Sequence, residues 1–167
     1  MIDKQTSSTA PAKGGKYLTF ALGKEEYGIE ILKVREIIGC TDITTLPNMA
    51  AHVSGVMNLR GQVLPVMHLR AKFSMPAAAR TEQTCIIVVE TAHAGRKRFV
   101  GVIVDRVSEV LWIGADHVQE TPVFDASVQT DFIVGIARVG AAIKILLNID
   151  RVIAINDIAA AGVQAAA

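Results

Sequence analysis

A sixteen-residue segment at positions 55–70, GVMNLRGQVLPVMHLR, carries the side chain with the clearest potential for chemistry, Arg60. Two apolar runs flank the polar break Asn58-Leu59-Arg60-Gly61, which is typical of a tight turn between two β-strands. Such a turn holds the guanidinium at a fixed corner, where its planar set of donors can bind a carboxylate. The segment therefore predicts recognition of a charged group rather than a contribution to bulk solubility.

The four histidines, His52, His68, His93 and His117, show none of the spacings that are typical of metal sites. His68 alternates out of an apolar strand and could act as a base beside Asp105 in a hydrolase, but a lone histidine is more often hydrogen-bonded or on the surface. The sequence has no GxSxG elbow, no Walker loop and no GxGxxG segment between a strand and a helix. We therefore predict no enzymatic activity, no metal site and no cofactor.

Glu36, in the run VREII, and Arg60 are charges placed among apolar neighbours. Spacing alone leaves two interpretations open: the two side chains pair with each other as a structural lock, or each binds a charged group on a partner. Gly55 and Gly61 are expected to permit turns of the backbone.

The chain has 167 residues, which is enough for one domain or two small fused ones. Hydrophobic residues make up 51% of it and aromatic residues only 5%, so the core must consist of valine, isoleucine and leucine, which favours β-structure. The net charge is +1 and there is no basic block. A nucleic-acid partner is therefore not expected, because it would require a basic face with stacking aromatic side chains.

Cys40 and Cys85 are far apart in the sequence and outside any CxxC spacing, which favours free thiols in a reducing compartment. Residues 1–16 contain no apolar core of a signal peptide, and no stretch reaches the roughly 18 uninterrupted apolar residues of a membrane span. These features predict a cytoplasmic protein without direct membrane insertion.

The first half of the chain predicts strands joined by short connections. Residues 17–22 and 27–30 predict a β-hairpin, whereas the pattern at 31–38 fits both a helical turn and a strand. Residues 47–54 resemble a short helix that ends at Gly55.

The second half repeats the β pattern after a loop at residues 71–83, which is expected to join two interleaved subdomains. A polar hairpin loop is predicted at 91–98, and an apolar line at 102–110 is typical of a core or of a groove that receives a helix. Strands are predicted at residues 84–90, 99–104, 107–112, 132–139 and 143–147.

About ten short strands with few helical patterns close most naturally into small barrels, which also protects the edges of the sheets. The fold predicted from these patterns is all-β. Residues 1–16 have almost nothing to bury and residues 157–167 are alanine-rich, so both ends are expected to be flexible tails.

Several motifs together resemble the CheW-like family of bacterial chemotaxis coupling proteins. They are EEYGIEILKVREIIG at residues 25–39, ITTLPNMAAHVSGVMNLRGQVLPVMHLRAKF at 43–73 and VGVIVDRVSEVL at 100–111. The resemblance runs in order from about residue 17 to residue 153. It implies a CheW-like domain over residues 17–156, with two five-stranded SH3-like β-barrel subdomains, a shared hydrophobic interface and short helices.

The resemblance also implies a non-enzymatic adaptor that couples the histidine kinase CheA to methyl-accepting chemotaxis receptors in signalling arrays. One barrel face would bind the CheW-like regulatory domain of CheA, and a groove between the barrels would receive a helix from the cytoplasmic tip of a receptor. Such a protein is cytoplasmic and is recruited to membrane-associated arrays. The alternative is a CheW-like scaffold that serves a non-motility chemosensory pathway.

The partner-binding residues that the resemblance implies are those whose motifs match: Val34, Glu36, Gly55, Arg60, Gly61, Gly101, Val107 and Val110. Glu36 and Arg60 carry the strongest expectation, because an apolar core does not require a carboxylate or a guanidinium. His68 stands where the family usually has aspartate. If the aspartate at that position supports the Arg60 turn or pairs with a cation, a histidine would do so only through a hydrogen bond and would reverse the local charge at low pH.

Overall fold

A computed structural model describes residues 14–50, 52–93, 95–120 and 132–153. The strands of this part of the chain are β1 (Gly15–Leu22), β2 (Glu25–Glu30), β3 (Val34–Gly39), β4 (Val53–Leu59), β5 (Gln62–His68), β6 (Cys85–His93), β7 (Arg96–Val104), β8 (Arg106–Ile113), β9 (Val118–Gln119), β10 (Ile133–Val139) and β11 (Ala142–Leu147). The short helices are α1 (Leu69–Lys72) and α2 (Ile149–Val152), and 3₁₀ turns lie at Ile31–Lys33 and Ala115–His117.

Both predicted tails fall almost entirely outside the described residues. Only Gly14 and the first two residues of β1, Gly15 and Lys16, belong to the segment 1–16 that was expected to be a tail. None of the helices in the described ranges has the length and apolar character needed to cross a bilayer.

The strands form two sheets, and the predicted all-β fold of two subdomains is confirmed. The first sheet has the order β8-β1-β2-β11-β10-β9, in which five longer strands are extended by the two-residue β9, and the second has the order β3-β6-β7-β5-β4. Each sheet contains one parallel pair, β2 with β11 in the first and β5 with β7 in the second. The other pairings are antiparallel.

The two sheets are built in the same way, and each contains strands from both halves of the sequence. β1 and β2 of the first half pair with β8 and β11 of the second half, whereas β6 and β7 of the second half pair with β3 and β5 of the first. The segment 71–83 therefore lies between two halves that are not the subdomains. The chain passes from one sheet to the other at Ile31–Lys33 and at Asp105, so neither half of the sequence contains a complete sheet.

An apolar layer between the sheets, which we call the interface layer, holds the two subdomains together. It contains Leu18, Phe20 and Leu22 of β1, Ile87 and Val89 of β6, Val100, Val102 and Val104 of β7, and Ile149 and Val152 of α2. A smaller apolar cluster fills each subdomain on the other face of its sheet. The hydrophobic interface that the resemblance implied is therefore present.

Four of the eight aromatic residues of the chain lie at this interface. The rings of Phe20, Tyr27, Phe73 and Phe132 lie in a line, with successive centroids 5.9, 5.6 and 5.1 Å apart. Phe20 and Tyr27 belong to the first sheet, whereas Phe73 directly follows α1 at the end of β5 in the second sheet. Aromatic side chains bury large areas, so this line contributes strongly to the contact between the subdomains.

An ion pair fixes each crossing of the chain. At the second crossing, Asp105 accepts hydrogen bonds from Nε and Nη2 of Arg70 at 2.8 and 2.5 Å and from the backbone N–H of Gly23 at 2.7 Å. Near the first crossing, Asp150 accepts from Nζ of Lys33 at 2.9 Å and from the backbone N–H of Ala92 at 2.9 Å. Asp105 thus connects the β1–β2 turn of the first sheet with Arg70 at the end of β5 in the second, and Asp150 of α2 connects the Ile31–Lys33 turn with β6.

Two local predictions differ from the structure, and one that was left open is resolved. The predicted helix at 47–54 is absent: residues 47 and 48 form a turn, and β4 begins at Val53. The ambiguous stretch at 31–38 is a 3₁₀ turn followed by β3. The predicted loop at 91–98 is largely strand, because β6 and β7 continue to His93 and Arg96 and pair across the ends of the hairpin.

Gly55 does not stop a helix but lies inside β4, where the chain after β3 crosses it closely. Thr44 forms an isolated bridge with Val56, with backbone N–O distances of 2.8 and 2.9 Å. Gly55 has φ +144°, and a Cβ at this position would lie 2.0 Å from the carbonyl oxygen of Thr44. Only glycine permits this approach of two backbones.

We expect Gly55→Ala to lower the free energy of unfolding by at least about 2 kcal/mol, since the overlapping atom is backbone and φ is strained. Urea denaturation followed by circular dichroism measures this change. Gly39→Ala is the matched control: a Cβ at Gly39 meets nothing within 4 Å, so its effect should stay within about 1 kcal/mol. Equal midpoints for the two variants would show that the Thr44 crossing is not rigid.

We also expect the crossing at Asp105 to make stability dependent on pH. Hydrogen bonds from Arg70 lower the pKa of Asp105 below its ordinary value of 3.8, so the folded chain binds fewer protons than the unfolded chain. The stabilisation is complete above that ordinary value and is lost as pH falls through the folded pKa. Asp105→Asn should cost about 1–3 kcal/mol at pH 7, and progressively less as pH falls below the ordinary value.

Denaturant titrations of wild type and Asp105→Asn from pH 2 to pH 7 measure this difference. Asp116→Asn is the control, because that exposed carboxylate has only a 3.9 Å contact with His117 among the described residues. A constant difference between Asp105→Asn and wild type across the range would contradict the role of the Asp105 charge.

Candidate functional site

The predicted corner at Arg60 is confirmed as a two-residue turn between β4 and β5. Arg60 and Gly61 both have positive φ, +50° and +86°, and the Oδ1 of Asn58 accepts a hydrogen bond from the N–H of Gly61 at 2.8 Å. This combination is typical of the type I′ hairpin turn. An arginine in the left-handed region costs roughly 1–2 kcal/mol relative to a relaxed conformation.

Glu36 and Arg60 pair with each other in the isolated chain. Of the two interpretations of their spacing, the mutual ion pair is the one that the structure contains. Nη1 of Arg60 donates to Oε1 of Glu36 at 3.2 Å, and Nη2 donates to Oε2 in a shorter contact. The hydrogen bonds from Arg60 lower the pKa of Glu36. The side chain of Arg60 is nevertheless 70% exposed, and that of Glu36 is 29% exposed.

The pair bridges the open seam of the second sheet. β3 and β4 are the two ends of its strand order, and each has only one strand as neighbour among the described residues. The Thr44–Val56 bridge and the Glu36–Arg60 pair connect these two sides of the seam. The remaining N–H groups of Arg60 find no acceptor in the described part of the chain and face solvent.

A β-bulge in β3 directs Glu36 to this seam. Strand alternation would place Val34 and Glu36 on the same face, but the register shifts between them: Val34 pairs with Val89, and Glu36 pairs with Val88. Val89 belongs to the interface layer, whereas Val88 belongs to the inner cluster of the second subdomain. Val34 therefore faces the interface layer, and Glu36 faces the groove next to Arg60.

The groove beneath the pair has an apolar floor and a charged rim. Leu64, Val88 and Phe99 lie below the ion pair, and Arg35 lies beside it. The guanidinium of Arg35 is 5.5 Å from the centroid of the Phe99 ring and 3.6 Å from the carboxylate of Glu90. An apolar floor next to an exposed guanidinium is suited to an apolar side chain that is flanked by a carboxylate.

Val107 and Val110 lie on β8, where a second bulge turns both toward the interface layer. Val107 pairs with Phe20 and packs against the layer, whereas Val110 pairs with Leu18 and is 50% exposed. Trp112 follows two residues later on the same face and is 70% exposed. The sequence prediction missed Trp112, although its alternation with Val110 along an apolar strand was a signal for it.

The predicted glycines have different positions. Gly61 is exposed in the turn, but Gly55 and Gly101 are buried. A Cβ on Gly101 would lie 2.9 Å from Cγ2 of Ile86 and 3.2 Å from Cε of Met57. The two buried glycines therefore shape the backbone beneath the surface.

His68 does not support the Arg60 turn, because the two residues lie at opposite ends of β5, roughly 20 Å apart. Nor does it form a base–acid pair in which Asp105 accepts its proton, since the Asp105 carboxylate is hydrogen-bonded by Arg70 and Gly23. Burial and the nearby Arg70 and Arg80 lower the pKa of His68 despite the opposing effect of Asp105. The imidazole is therefore neutral at pH 7.

In the ranges that the structure describes, no three His, Cys, Asp or Glu side chains lie together in a way that could hold a metal ion. The eight predicted residues fall into two surface regions and a buried set. Glu36, Arg60 and Gly61 form the seam site, Val34, Val107 and Val110 border the interface layer, and Gly55 and Gly101 support the backbone.

Comparison with known proteins agrees with this architecture. A family model described as a CheW-like domain matches residues 16–156. The chemotaxis protein CheW of Klebsiella aerogenes is 36% identical over 146 residues, which cover 87% of this chain and 86% of that protein. The chemotaxis protein CheW of Rhizobium meliloti is 34% identical over 139 residues, which cover 83% and 87%.

A solved structure shows the same fold. The crystal structure of scaffolding protein TtCheW from Thermoanaerobacter tengcongensis matches with a TM-score of 0.75 and 30% identity, covering 86% of this chain and 95% of that one. Members of this family are scaffold or adaptor proteins and not enzymes, which confirms the expectation of no catalytic activity. The chain therefore belongs to the CheW-like family of chemotaxis scaffold proteins.

Proposed function

We propose that this chain is a cytoplasmic adaptor that couples the histidine kinase CheA to the cytoplasmic tips of methyl-accepting chemotaxis receptors in membrane-associated arrays. The observation that carries the proposal is the exposed Glu36–Arg60 pair, held by a strained turn across the seam of the second sheet. Family membership supports a scaffold role in chemotaxis. The specific partners rest on the resemblance and on the chemistry of the two surface regions.

Energetics favour recognition over a structural lock as the role of Arg60. An exposed ion pair contributes about 0–1 kcal/mol, whereas the left-handed conformation of Arg60 costs roughly 1–2 kcal/mol. The equivalent turn between β10 and β11 has Gly140, with φ +61°, where the first half of the chain has Arg60. A side chain that does not improve folding stability at this corner is better explained by contact with a partner.

The border of the interface layer forms the second proposed surface. Val34 and Val107 pack against the layer, and Val110 extends it toward solvent. An apolar strip between two rigid sheets is suited to the apolar face of an amphipathic helix. We assign this strip to the receptor helix. We assign the seam site, which includes Gly61, to coupling with the kinase or receptor. Gly55 and Gly101 contribute to that site by supporting its backbone.

We expect Arg60→Gly and Arg60→Ala to lower the amount of chain that co-sediments with CheA and receptor-containing membranes by at least tenfold at subsaturating concentration. The loss of charge-assisted hydrogen bonds with a partner accounts for this change. The free energy of unfolding should stay within about 0.5 kcal/mol for Arg60→Ala and should be equal or up to about 1 kcal/mol higher for Arg60→Gly, since glycine relieves the strain.

Reversal of the pair separates a structural role from a binding role. Glu36→Arg combined with Arg60→Glu restores an intramolecular ion pair but exchanges the charges that a partner meets. The proposal expects this double variant to remain deficient in co-sedimentation. Recovery of wild-type assembly, or early melting of the Arg60 variants, would show that the pair is a lock within the fold. Failure of the wild type to join both partners would overturn the adaptor function itself.

We expect Val110→Lys to weaken binding to receptor membranes at least tenfold, because it places an ammonium group in the apolar strip. Its unfolding free energy should change by less than about 0.5 kcal/mol, since the side chain is half exposed. Ile143→Lys, at a 63% exposed position at the turn end of β11, is the matched control. Equal receptor binding by the two variants would remove Val110 from the proposed surface.

A further inference from the structure

The proposed receptor strip, which we define by Val34, Val107 and Val110, lies between two sheet edges that correspond to each other. β3 and β8 each stand at one end of a strand order, and each pairs with its neighbour through a β-bulge. In both strands the bulge directly follows a valine that packs against the interface layer, Val34 in β3 and Val107 in β8. The two strands are therefore structural counterparts.

The correspondence continues beyond the bulges. Ile37 of β3 pairs with Ile87, and its counterpart Val110 of β8 pairs with Leu18. Ile87 and Leu18 both belong to the interface layer, and residues that are directly opposite on neighbouring strands share a face of the sheet. Ile37 is 44% exposed and Val110 is 50% exposed. Each sheet thus contributes one apolar side chain that extends the layer toward solvent.

The next pair of counterparts is unequal. Trp112, the sole tryptophan of the chain, corresponds to Gly39. Trp112 is 70% exposed and lies opposite the exposed Lys16 of β1. Gly39 lies opposite Cys85 of β6, and a Cβ at Gly39 would meet nothing within 4 Å. One edge therefore has a large ring beside an ammonium group, whereas the other has open space beside a small side chain.

These unequal positions lie at opposite ends of β8. The thiol of Cys85 is hydrogen-bonded with the backbone of Val107, so the row of Gly39 and Cys85 adjoins the beginning of β8. Trp112 lies five positions after Val107, which is roughly 16 Å along a strand. Because a helix rises about 1.5 Å per residue, about 11 residues, or three turns, cover this distance.

Unequal ends give a bound helix a preferred direction. Two edges with equal side chains would bind an apolar helix equally well in either direction. The indole of Trp112 occupies space at one end, so a helix can approach closely there only with a small side chain. The open space at Gly39 accommodates a large apolar side chain, and the ammonium group of Lys16 attracts a carboxylate. Tryptophan is also enriched among the residues that dominate binding energy.

We propose that Trp112, together with Lys16 and Gly39, sets the direction in which the receptor helix binds to the receptor strip. The helix that fits has a small residue and a carboxylate at the Trp112 end and a large apolar side chain about three turns away, at the Gly39 end. The receptor helix is the occupant because Ile37 and Trp112 continue the strip assigned to it. This inference therefore rests on the proposed function.

The test uses the emission of Trp112, which is the sole tryptophan signal of the chain. The full-length protein is titrated with a tryptophan-free cytoplasmic fragment of a methyl-accepting receptor. We expect a saturable shift of the emission to shorter wavelength and weaker quenching by acrylamide. A nitroxide label is then attached to the fragment on the N-terminal or the C-terminal side of its tip segment. The label on one side should quench Trp112, and the label on the other side should not.

Variants test the two ends separately by co-sedimentation with receptor-containing membranes. Gly39→Trp should weaken binding at least tenfold because it fills the open end, whereas the matched control Gly39→Ala should stay within about threefold of the wild type. Lys16→Glu should weaken binding about tenfold, because it places a carboxylate opposite a carboxylate. Lys24→Glu, at an exposed lysine between β1 and β2, is its control and should bind like the wild type.

The outcomes separate this inference from the adaptor function. Binding of the fragment without a change in the Trp112 emission, or equal quenching by labels on both sides, would overturn the inference and leave the adaptor function standing. Wild-type binding by Gly39→Trp would show that the open end receives no side chain and would also overturn it. If the wild type binds neither the fragment nor the membranes, the adaptor function is wrong, and this inference is wrong with it.

Discussion

The apolar layer between the two sheets is the constraint on which the rest of the structure depends. Because each half of the sequence gives two strands to one sheet and the remaining strands to the other, neither sheet exists until both halves have met. The interface layer includes side chains from β1, β6, β7 and α2, and the line of aromatic rings lies along it. Folding of the subdomains and formation of their interface are consequently one event, and the relative position of the two proposed surfaces is fixed by the same contacts.

The two sheets have matching strand orders, so the positions at which they differ are informative. In matching strand positions, Leu64 of β5 lies in the floor of the seam groove, whereas Lys144 of β11 is buried and bonded to Glu26. Glu26 also contacts Arg106 and Ser108, so this part of the first subdomain is occupied by an internal ion cluster. Among the residues that the structure describes, the second subdomain therefore combines an apolar floor with an exposed arginine at this corner, whereas the matching corner of the first does not.

Local patterns in the sequence were sufficient for the hairpins and for the Arg60 turn, because alternation and turn residues act over a few positions. They were not sufficient where a distant backbone decides the structure. Gly55 resembled a helix stop, yet it is required by the approach of Thr44. The exchange of strands and the separation of His68 from Arg60 also depend on long-range pairing. The family resemblance supplied the two-subdomain fold and the candidate residues, but not the contacts that divide those residues between two surfaces and a buried set.

The bulge in β3 connects the two surfaces physically. Without the extra residue, Val34 and Glu36 would point to the same side of the strand, and one of them would lose its contact. With it, one short strand presents Val34 to the interface layer and Glu36 to Arg60 across the seam. A helix that presses on the border of the layer therefore acts on the same strand that carries the seam carboxylate. β3 therefore connects the two surfaces of the proposed adaptor through two peptide units of one strand.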